Sequence, residues 1–174
     1  VSPEDVLGRT EVDVYGALAS HHRLAAERPQ GTASVRVFTP TLGEHGWSAG
    51  GHSVVEVVVD DMPFLVDSLT MELSRQRRDV HLVIHPNFDV VRDITGVLQE
   101  VHAVDDGSSA PAPGSSRESW MHIEIDRIRE GDDPAAIVED LQRVLRDVRE
   151  TVEDWEKMHG QVRDIVAGLA SDPP

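Results

Sequence analysis

The stretch HSVVEVVVDDMPFLVDSLTMEL, residues 52–73, contains two hydrophobic patterns that together decide the fold. Its first part, His52–Asp60, is rich in valine and almost continuously apolar, which predicts a strand in the middle of a sheet. In its second part Leu65, Leu69 and Leu73 recur every four residues, which predicts one buried helix face. A buried strand that leads directly into an amphipathic helix indicates a domain in which that helix packs on the sheet.

The junction between this strand and this helix has two interpretations. Asp61 is suited to cap the helix and Pro63 to occupy its first turn, so we predict a helix over residues 63–78. The free N–H groups at a helix N-terminus also attract anions, so an amino-acid carboxylate is the alternative occupant. The residues alone favour capping by Asp61 over ligand binding, and both interpretations stay open.

Three further strands are expected after this helix. Val80–Arg92 is a strand broken by Pro86, so it is an edge strand or carries a bulge. Val97–Val104 returns as its hairpin partner. Glu118–Ile128 alternates, and we predict that one of its faces is exposed to water because it carries mostly polar side chains. These are Trp120, His122, Glu124 and Asp126.

Helices are predicted at both ends of the chain. The first begins with Ser2 as its cap and continues to near Pro29. A short strand, Ser34–Phe38, and a glycine-rich loop, Leu42–Gly51, follow it. At the other end, Asp132-Asp133-Pro134 opens a helix of some 35 residues, and its apolar positions recur at spacings of three and four.

The order α, β, β, α, β, β, β, α predicts an α+β fold, with an antiparallel sheet and helices on one face. We expect the strand order 34–38, 52–60, 118–128, 80–92, 97–104, with helices 63–78 and 133–158 on one face. Three segments follow from this pattern. They are an N-terminal helical segment (1–33), an α/β sandwich core (34–130, with a mobile loop at 105–116) and a long C-terminal helix leading onward (131–174).

Charge and composition exclude several classes of function. The 16 Lys and Arg residues against 32 Asp and Glu residues give a net charge of −16, which repels nucleic acids and anionic membranes. The absence of cysteine excludes disulfides and thiolate metal sites. No uninterrupted apolar stretch approaches the roughly 18 residues of a membrane span, and the N-terminus lacks a signal peptide. We therefore expect a cytoplasmic segment of a longer chain.

No motif of a free-standing hydrolase, metalloenzyme or nucleotide-binding enzyme is present. Nine histidines raise the question of a metal site. His81 and His85 lie on one predicted strand, where a spacing of four residues separates them by about 13 Å, too far for one ion. The single lysine, Lys157, lies on the C-terminal helix and is interpreted as a surface charge. We therefore predict no metal site.

The run VVEVVVDDMPFLVDSLTMEL (54–73), followed by HLVIHPNFDVVRD (81–93) and a glycine, resembles the N-terminal region of the large bacterial NAD-specific glutamate dehydrogenases. The specific part of the resemblance is DDMPFLVDS, Asp60–Ser68, and the His85-Pro86 pair supports it. The resemblance covers about residues 34–130.

This resemblance implies an ACT-like module with a ferredoxin-like fold, associated with regulation by amino acids. The parent enzyme would oxidise L-glutamate to 2-oxoglutarate and ammonia with NAD, and its catalytic parts lie elsewhere. No catalytic residue and no cofactor are therefore expected in this chain. Its expected partners are other domains and subunits of the parent enzyme and a small amino-acid effector. The alternative is a purely structural module that holds subunits together.

The resemblance also implies a ligand loop. ACT domains carry Asp-x-Pro-Gly-Leu after the first strand, and here Asp61, Met62, Pro63 and Leu65 match it, while Phe64 stands where glycine is usual. The fourth ACT strand is not evident after the second helix, and strand 34–38 is the candidate for its position. The candidate ligand-binding residues are Asp60, Asp61, Met62, Pro63, Phe64, Leu65 and Asp67.

Overall fold

The computed structural model describes residues 8–104 and 111–171, which form one six-stranded sheet and four helices. In chain order the elements are α1 (Glu11–Ala25), β1 (Ser34–Phe38), α2 (Leu42–His45), β2 (Ser53–Asp60), α3 (Leu65–Arg75), β3 (Val80–Ile84), β4 (Asn87–Arg92), β5 (Leu98–Ala103), β6 (Ser116–Ile125) and α4 (Pro134–Ser171).

The sheet has the predicted strand order and is antiparallel throughout. The order is β1-β2-β6-β4-β5, and β3 also pairs with β6. Strands β3 and β4 lie one after the other along β6, and Pro86 separates them. The Pro86 carbonyl still accepts a hydrogen bond from the Trp120 N–H at 3.0 Å, so the interruption leaves the two halves on the same neighbour.

Strand β1 occupies the edge position that was expected for it. It pairs antiparallel with β2, with Val35 opposite Val57 and Val37 opposite Val55. In the ferredoxin-like arrangement this edge belongs to a strand that follows the second helix. Here the edge strand comes from upstream of β2, and α4 is therefore free to continue as a long helix.

The main hydrophobic core lies between one face of the sheet and the helices α3 and α4. The predicted helix face is confirmed, because Leu65, Leu69 and Leu73 are fully or almost fully buried. Alternate residues of β2 and β6 meet this face together with the first half of α4. They are Val55, Val57, Val59, Met121, Ile123, Ile125, Ile137, Leu141, Leu145 and Val148.

Helix α1 lies on the opposite face of the sheet, for which no covering element was predicted. At Gly16 this helix packs closely against the Trp47 ring. A side chain on Gly16 would overlap the ring, since an added Cβ would lie 2.3 Å from the ring carbon Cγ. Ala25 packs with Val58, Val90 and Trp120 in a second, smaller core. The sheet thus carries helices on both sides, although α1 covers only part of its face.

The prediction that one face of β6 is exposed to water is wrong. Trp120, His122 and Glu124 are buried, although Asp126, just beyond the strand, is partly exposed. The alternation itself is correct, but α1 and neighbouring side chains cover the polar face. A polar face can be buried in this way because its charges are paired within the domain.

Several element boundaries differ from prediction because other caps are used. Helix α1 begins at Glu11, where the Thr10 hydroxyl accepts from the Asp13 N–H, and the predicted start at Ser2 lies outside the described residues. The loop Leu42–Gly51 contains the short helix α2. Half of the proposed mobile loop 105–116 lies outside the described residues, since only 111–116 are described.

Helix α4 agrees with its predicted length and cap. It extends over 38 residues, and the Asp133 carboxylate accepts from the Ala135 N–H at 2.9 Å. Asp132, the other acid of the pair, instead accepts from the Arg78 guanidinium and the Arg129 N–H. Asp61 does not cap α3, and its role is described with the candidate site.

Replacement of a core leucine tests this packing. Leu69→Ala should lower the free energy of unfolding by about 2–5 kcal/mol, because the fully buried side chain leaves a cavity between α3 and the sheet. Urea unfolding followed by circular dichroism measures the change. The matched control is Met71→Ala on the exposed side of the same helix, which should stay within about 0.5 kcal/mol of the parent chain. Equal losses for both variants would contradict the assigned helix face.

Candidate functional site

Asp60, at the end of β2, joins three parts of the domain through ion pairs. Its carboxylate accepts from Arg28, in the segment after α1, at 2.6 Å, and from Arg149 of α4, also at 2.6 Å. Burial opposes its charge, but the guanidinium groups of Arg149 and Arg28 outweigh burial and hold the pKa of Asp60 below its usual value. Asp60 therefore carries a negative charge, and the two guanidinium groups already balance this charge in the absence of a ligand.

The next residues of the predicted loop serve the sheet and the core. The Asp61 N–H donates to the Arg117 carbonyl at 3.0 Å, and its carboxylate accepts from the Ser119 hydroxyl at 2.6 Å. Met62 packs against the main core. The loop is thus tied to β6 on one side and to the helical layer on the other.

Phe64 adopts an unusual backbone conformation at the start of α3. Its φ of 71° lies in the left-handed region, which glycine, the residue expected here from the resemblance to ACT loops, adopts without strain. The Phe64 ring is 65% exposed and covers little of the domain. The helix that follows has no side-chain cap, so Asp61 leaves its N-terminus open, as the ligand interpretation requires.

The predicted site residues therefore separate into two groups. Asp61, Phe64 and Asp67 are exposed, with Pro63 beside them, so they surround the open N-terminus of α3. Leu65 and Met62 point into the core and support the loop from below. Asp60 lies between the groups, partly exposed and held by its two arginines.

Sequence reasoning missed the buried ion network next to this loop. Glu118 of β6 is fully buried, and it accepts from Arg28 and Arg92 and from the indole N–H of Trp120. Burial opposes its charge, but Arg92 and Arg28 lower the pKa of Glu118. The register places Glu118 directly opposite Asp60, so Arg28 bridges both carboxylates. The sequence shows Glu118 as a charged residue at an alternating position of a strand. Its arginine partners could not be predicted because they are remote in the chain.

A second candidate site is a groove of about 790 Å³ on the α1 face of the sheet. Its walls are mainly apolar and come from α1 and from the strands β3, β4 and β6. They include Val14, Tyr15, Leu18, Ile84, Pro86, Phe88 and Trp120. No motif in the sequence predicted this groove, because it forms only where α1 leaves part of the sheet uncovered.

The floor of this groove carries a satisfied set of polar groups. Glu124 accepts from Arg9 at 2.6 Å and from His122 at 3.2 Å. Burial alone would raise the pKa of Glu124, but the bonds from His122 and Arg9 outweigh it and lower the pKa to about 2. The His21 Nε2 donates to the Val57 carbonyl at 3.1 Å, and burial lowers the pKa of His21, which keeps it neutral.

Neither site contains an arrangement typical of catalysis by metal ions. Among the described residues, no group of three or more His, Asp or Glu side chains is placed to hold a metal ion. His81 lies on β3 and is bonded to Asp126, whereas His85, which was predicted on the same strand, lies in the break between β3 and β4. Within residues 8–104 and 111–171, no helix is long and apolar enough to cross a membrane.

The arrangement of β2, α3, β3–β4, β6 and α4, with β1 at the edge, defines an α+β domain of the ferredoxin-like, ACT-like class. Residues 1–141 match the family model described as glutamate dehydrogenase, ACT1 domain. The chain belongs to this family, and the resemblance seen in Asp60–Ser68 is confirmed.

Three relatives carry the name NAD-specific glutamate dehydrogenase. The chain is 35% identical to the protein of Halomonas elongata over 98% of its own length, and 34% identical to that of Pseudomonas aeruginosa over 97%. It is 28% identical to the Mycobacterium tuberculosis protein over 90% of its length. The chain spans about a tenth of the length of each relative.

The buried carboxylate of Glu124 predicts an acid-sensitive contribution to stability. Because its folded pKa of about 2 lies below the usual 4.5, this contribution is present above pH 4.5 and is lost as the pH falls toward 2. Glu124→Gln should therefore lower the free energy of unfolding by about 3 kcal/mol at pH 7. Between pH 4.5 and 2 the variant should lose less stability than the parent chain.

Thermal unfolding over this pH range measures the effect. The matched control is Glu100→Gln, since Glu100 is an exposed glutamate on β5 and its replacement should leave the acid limb unchanged. If the unfolding temperature of Glu124→Gln fell as steeply between pH 4.5 and 2 as that of the parent chain, the lowered pKa of Glu124 would be contradicted.

Proposed function

We propose that this chain is the non-catalytic regulatory domain of a large NAD-dependent glutamate dehydrogenase, and that it binds an amino-acid effector at residues 60–67. The parent reaction is oxidation of L-glutamate with NAD and water to 2-oxoglutarate, ammonia and NADH. NAD belongs to other parts of that enzyme, and the partners of this domain are the other domains and subunits. Family membership and the names of the relatives support the parent activity.

The observation that carries the sensing role is the ion pair between Asp60 and Arg149. It connects the loop that resembles an ACT ligand site directly to α4, at a distance of 2.6 Å. A ligand ammonium that approached Asp60 would compete with Arg149 for the same carboxylate. Binding at the loop would thereby change the contacts of α4, which is what a regulatory domain requires.

The carboxylate of the same ligand has a matching position. Helix α3 begins without a side-chain cap, so the N–H groups of its first turn are available to an anion. Such a helix end favours an anion by about 0.3–1 kcal/mol, which is too little for tight binding. The rest of the binding free energy must therefore come from contacts with the ligand side chain. A second module packed on Phe64 would supply some of these contacts.

The alternative function is a purely structural module of the same enzyme. The observation that favours it is the network around Glu118, in which Arg28, Arg92 and Trp120 all donate to one buried carboxylate. Such a network joins three parts of the domain without any ligand. They are β4, β6 and the segment that follows α1. The two functions differ in one respect, which is whether the Asp60–Arg149 pair opens.

Titration with amino acids tests the sensing role. Glutamate, aspartate, arginine and the branched-chain amino acids are added to the ¹⁵N-labelled chain, and chemical shifts are followed. We expect saturable, weak binding with shifts at residues 60–68 and at Arg149, because the ligand ammonium competes with Arg149 for Asp60.

Two variants sharpen this test. Asp67→Asn removes a carboxylate from the exposed rim of the loop without touching the Asp60 pair and should weaken binding. Glu100→Gln on β5 is the control and should bind normally. If no amino acid shifts residues 60–68, also in a longer chain that carries neighbouring modules, the structural function replaces the sensing role.

The chain by itself should neither bind NAD nor oxidise glutamate. It lacks a dinucleotide-binding glycine motif, and its single lysine, Lys157, is exposed on α4 and paired only with Asp154 at 3.4 Å among the described contacts. The measurement is NADH absorbance in the presence of glutamate and NAD, together with calorimetric titration of NAD. NADH formation above that of a heat-inactivated sample would contradict the assignment of the domain as non-catalytic.

A further inference from the structure

Two apolar surfaces remain uncovered within the described part of this chain, and neither belongs to the Asp60 loop. The first is the groove on the α1 face. On its α1 wall Tyr15 and Leu18 are 75% and 66% exposed, far more than apolar side chains facing a complete core. The second is a stripe on the distal half of α4, formed by Trp155, Met158, Val162, Ile165 and Val166.

The α4 stripe continues the pattern that packs the first half of this helix. Leu141, Leu145 and Val148 are buried against α3 and the sheet, and the apolar positions then continue at spacings of three and four. Beyond Val152 the helix carries the same pattern but has left the domain, so Trp155 is 62% and Ile165 61% exposed. The stripe is therefore shaped to pack on an apolar surface that its own domain does not present.

We propose that the α4 stripe of one copy of this chain docks in the α1 groove of a second copy. The dimensions agree: Trp155 to Val166 spans about 16 Å along a helix, and the 15 residues of α1 give a wall of about 22 Å. A helix that lays one apolar face into a groove is a common mode of recognition.

The contact must join two chains. Helix α4 packs on the face of the sheet that carries Met121 and Ile123, whereas the groove lies on the opposite face, beside Trp120 and His122. Because α4 is one continuous helix to Ser171, its distal half cannot return through the sheet to its own groove.

A second copy supplies both missing surfaces at once. In a symmetric pair each stripe would enter the groove of the other chain, so two equal contacts would form. That doubling matters, because one short stripe is small beside the about 800 Å² per partner of a specific interface. The proposal does not depend on the amino-acid site, since it uses neither Asp60 nor the start of α3.

The test is the association state of the complete 174-residue chain by sedimentation equilibrium. We expect a concentration-dependent dimer. Leu18→Glu in the groove and Ile165→Glu in the stripe should each weaken dimerisation at least about tenfold, because each buries an unpaired charge in the contact. Ile94→Glu is the matched control at a fully exposed turn and should dimerise as the parent chain does.

Mixing the two variants separates this contact from a simple pairing of two α4 stripes. An equimolar mixture of Leu18→Glu and Ile165→Glu retains one intact stripe and one intact groove, so it should form a heterodimer more tightly than either variant self-associates. A Leu18→Glu chain that dimerises like the parent would show that stripe pairs with stripe and would overturn the proposal. A parent chain that stays monomeric at its highest soluble concentration, or a mixture that does not associate, would overturn it too.

Discussion

The charge of Glu118 in the middle of the sheet is the constraint on which the rest of this structure depends. The residue has no exposed surface, and it lies on β6, the strand that pairs with β2, β3 and β4. A buried carboxylate is tolerated only when it is paired, so Arg28 and Arg92 must both reach it. This requirement fixes where the segment after α1 crosses the sheet and how β4 lies against β6.

The same network connects the proposed ligand loop, residues 60–67, to the rest of the domain. Arg28 bridges Glu118 and Asp60, and Asp60 in turn holds Arg149 on α4. The loop is therefore connected to the helical layer, since a change in the charge near Asp60 alters the ion pair that Asp60 forms with Arg149 of α4. The proposed regulation uses this connection, whereas a purely structural domain would simply keep it closed.

The sequence by itself determined most of the architecture. Continuous valine in β2 and leucines every four residues in α3 were sufficient to predict the buried strand and its helix, because hydrophobic periodicity reports directly on burial. The five-strand order, the edge position of β1 and the length of α4 also followed from element order and spacing. The family was expected from the resemblance at Asp60–Ser68, and the family model that matches residues 1–141 agrees with it.

Only the tertiary structure decided which polar residues are buried and what they do. Glu124 and His122 alternate on β6 like residues of a solvated face, yet both are buried, and Arg9, remote in the chain, pairs with Glu124. Asp61 has the sequence of a helix cap but bonds to Ser119, which leaves α3 open. The physical reason is the same in both cases. Periodicity records how a side chain points relative to its own element, whereas burial and pairing depend on partners that are far apart in sequence.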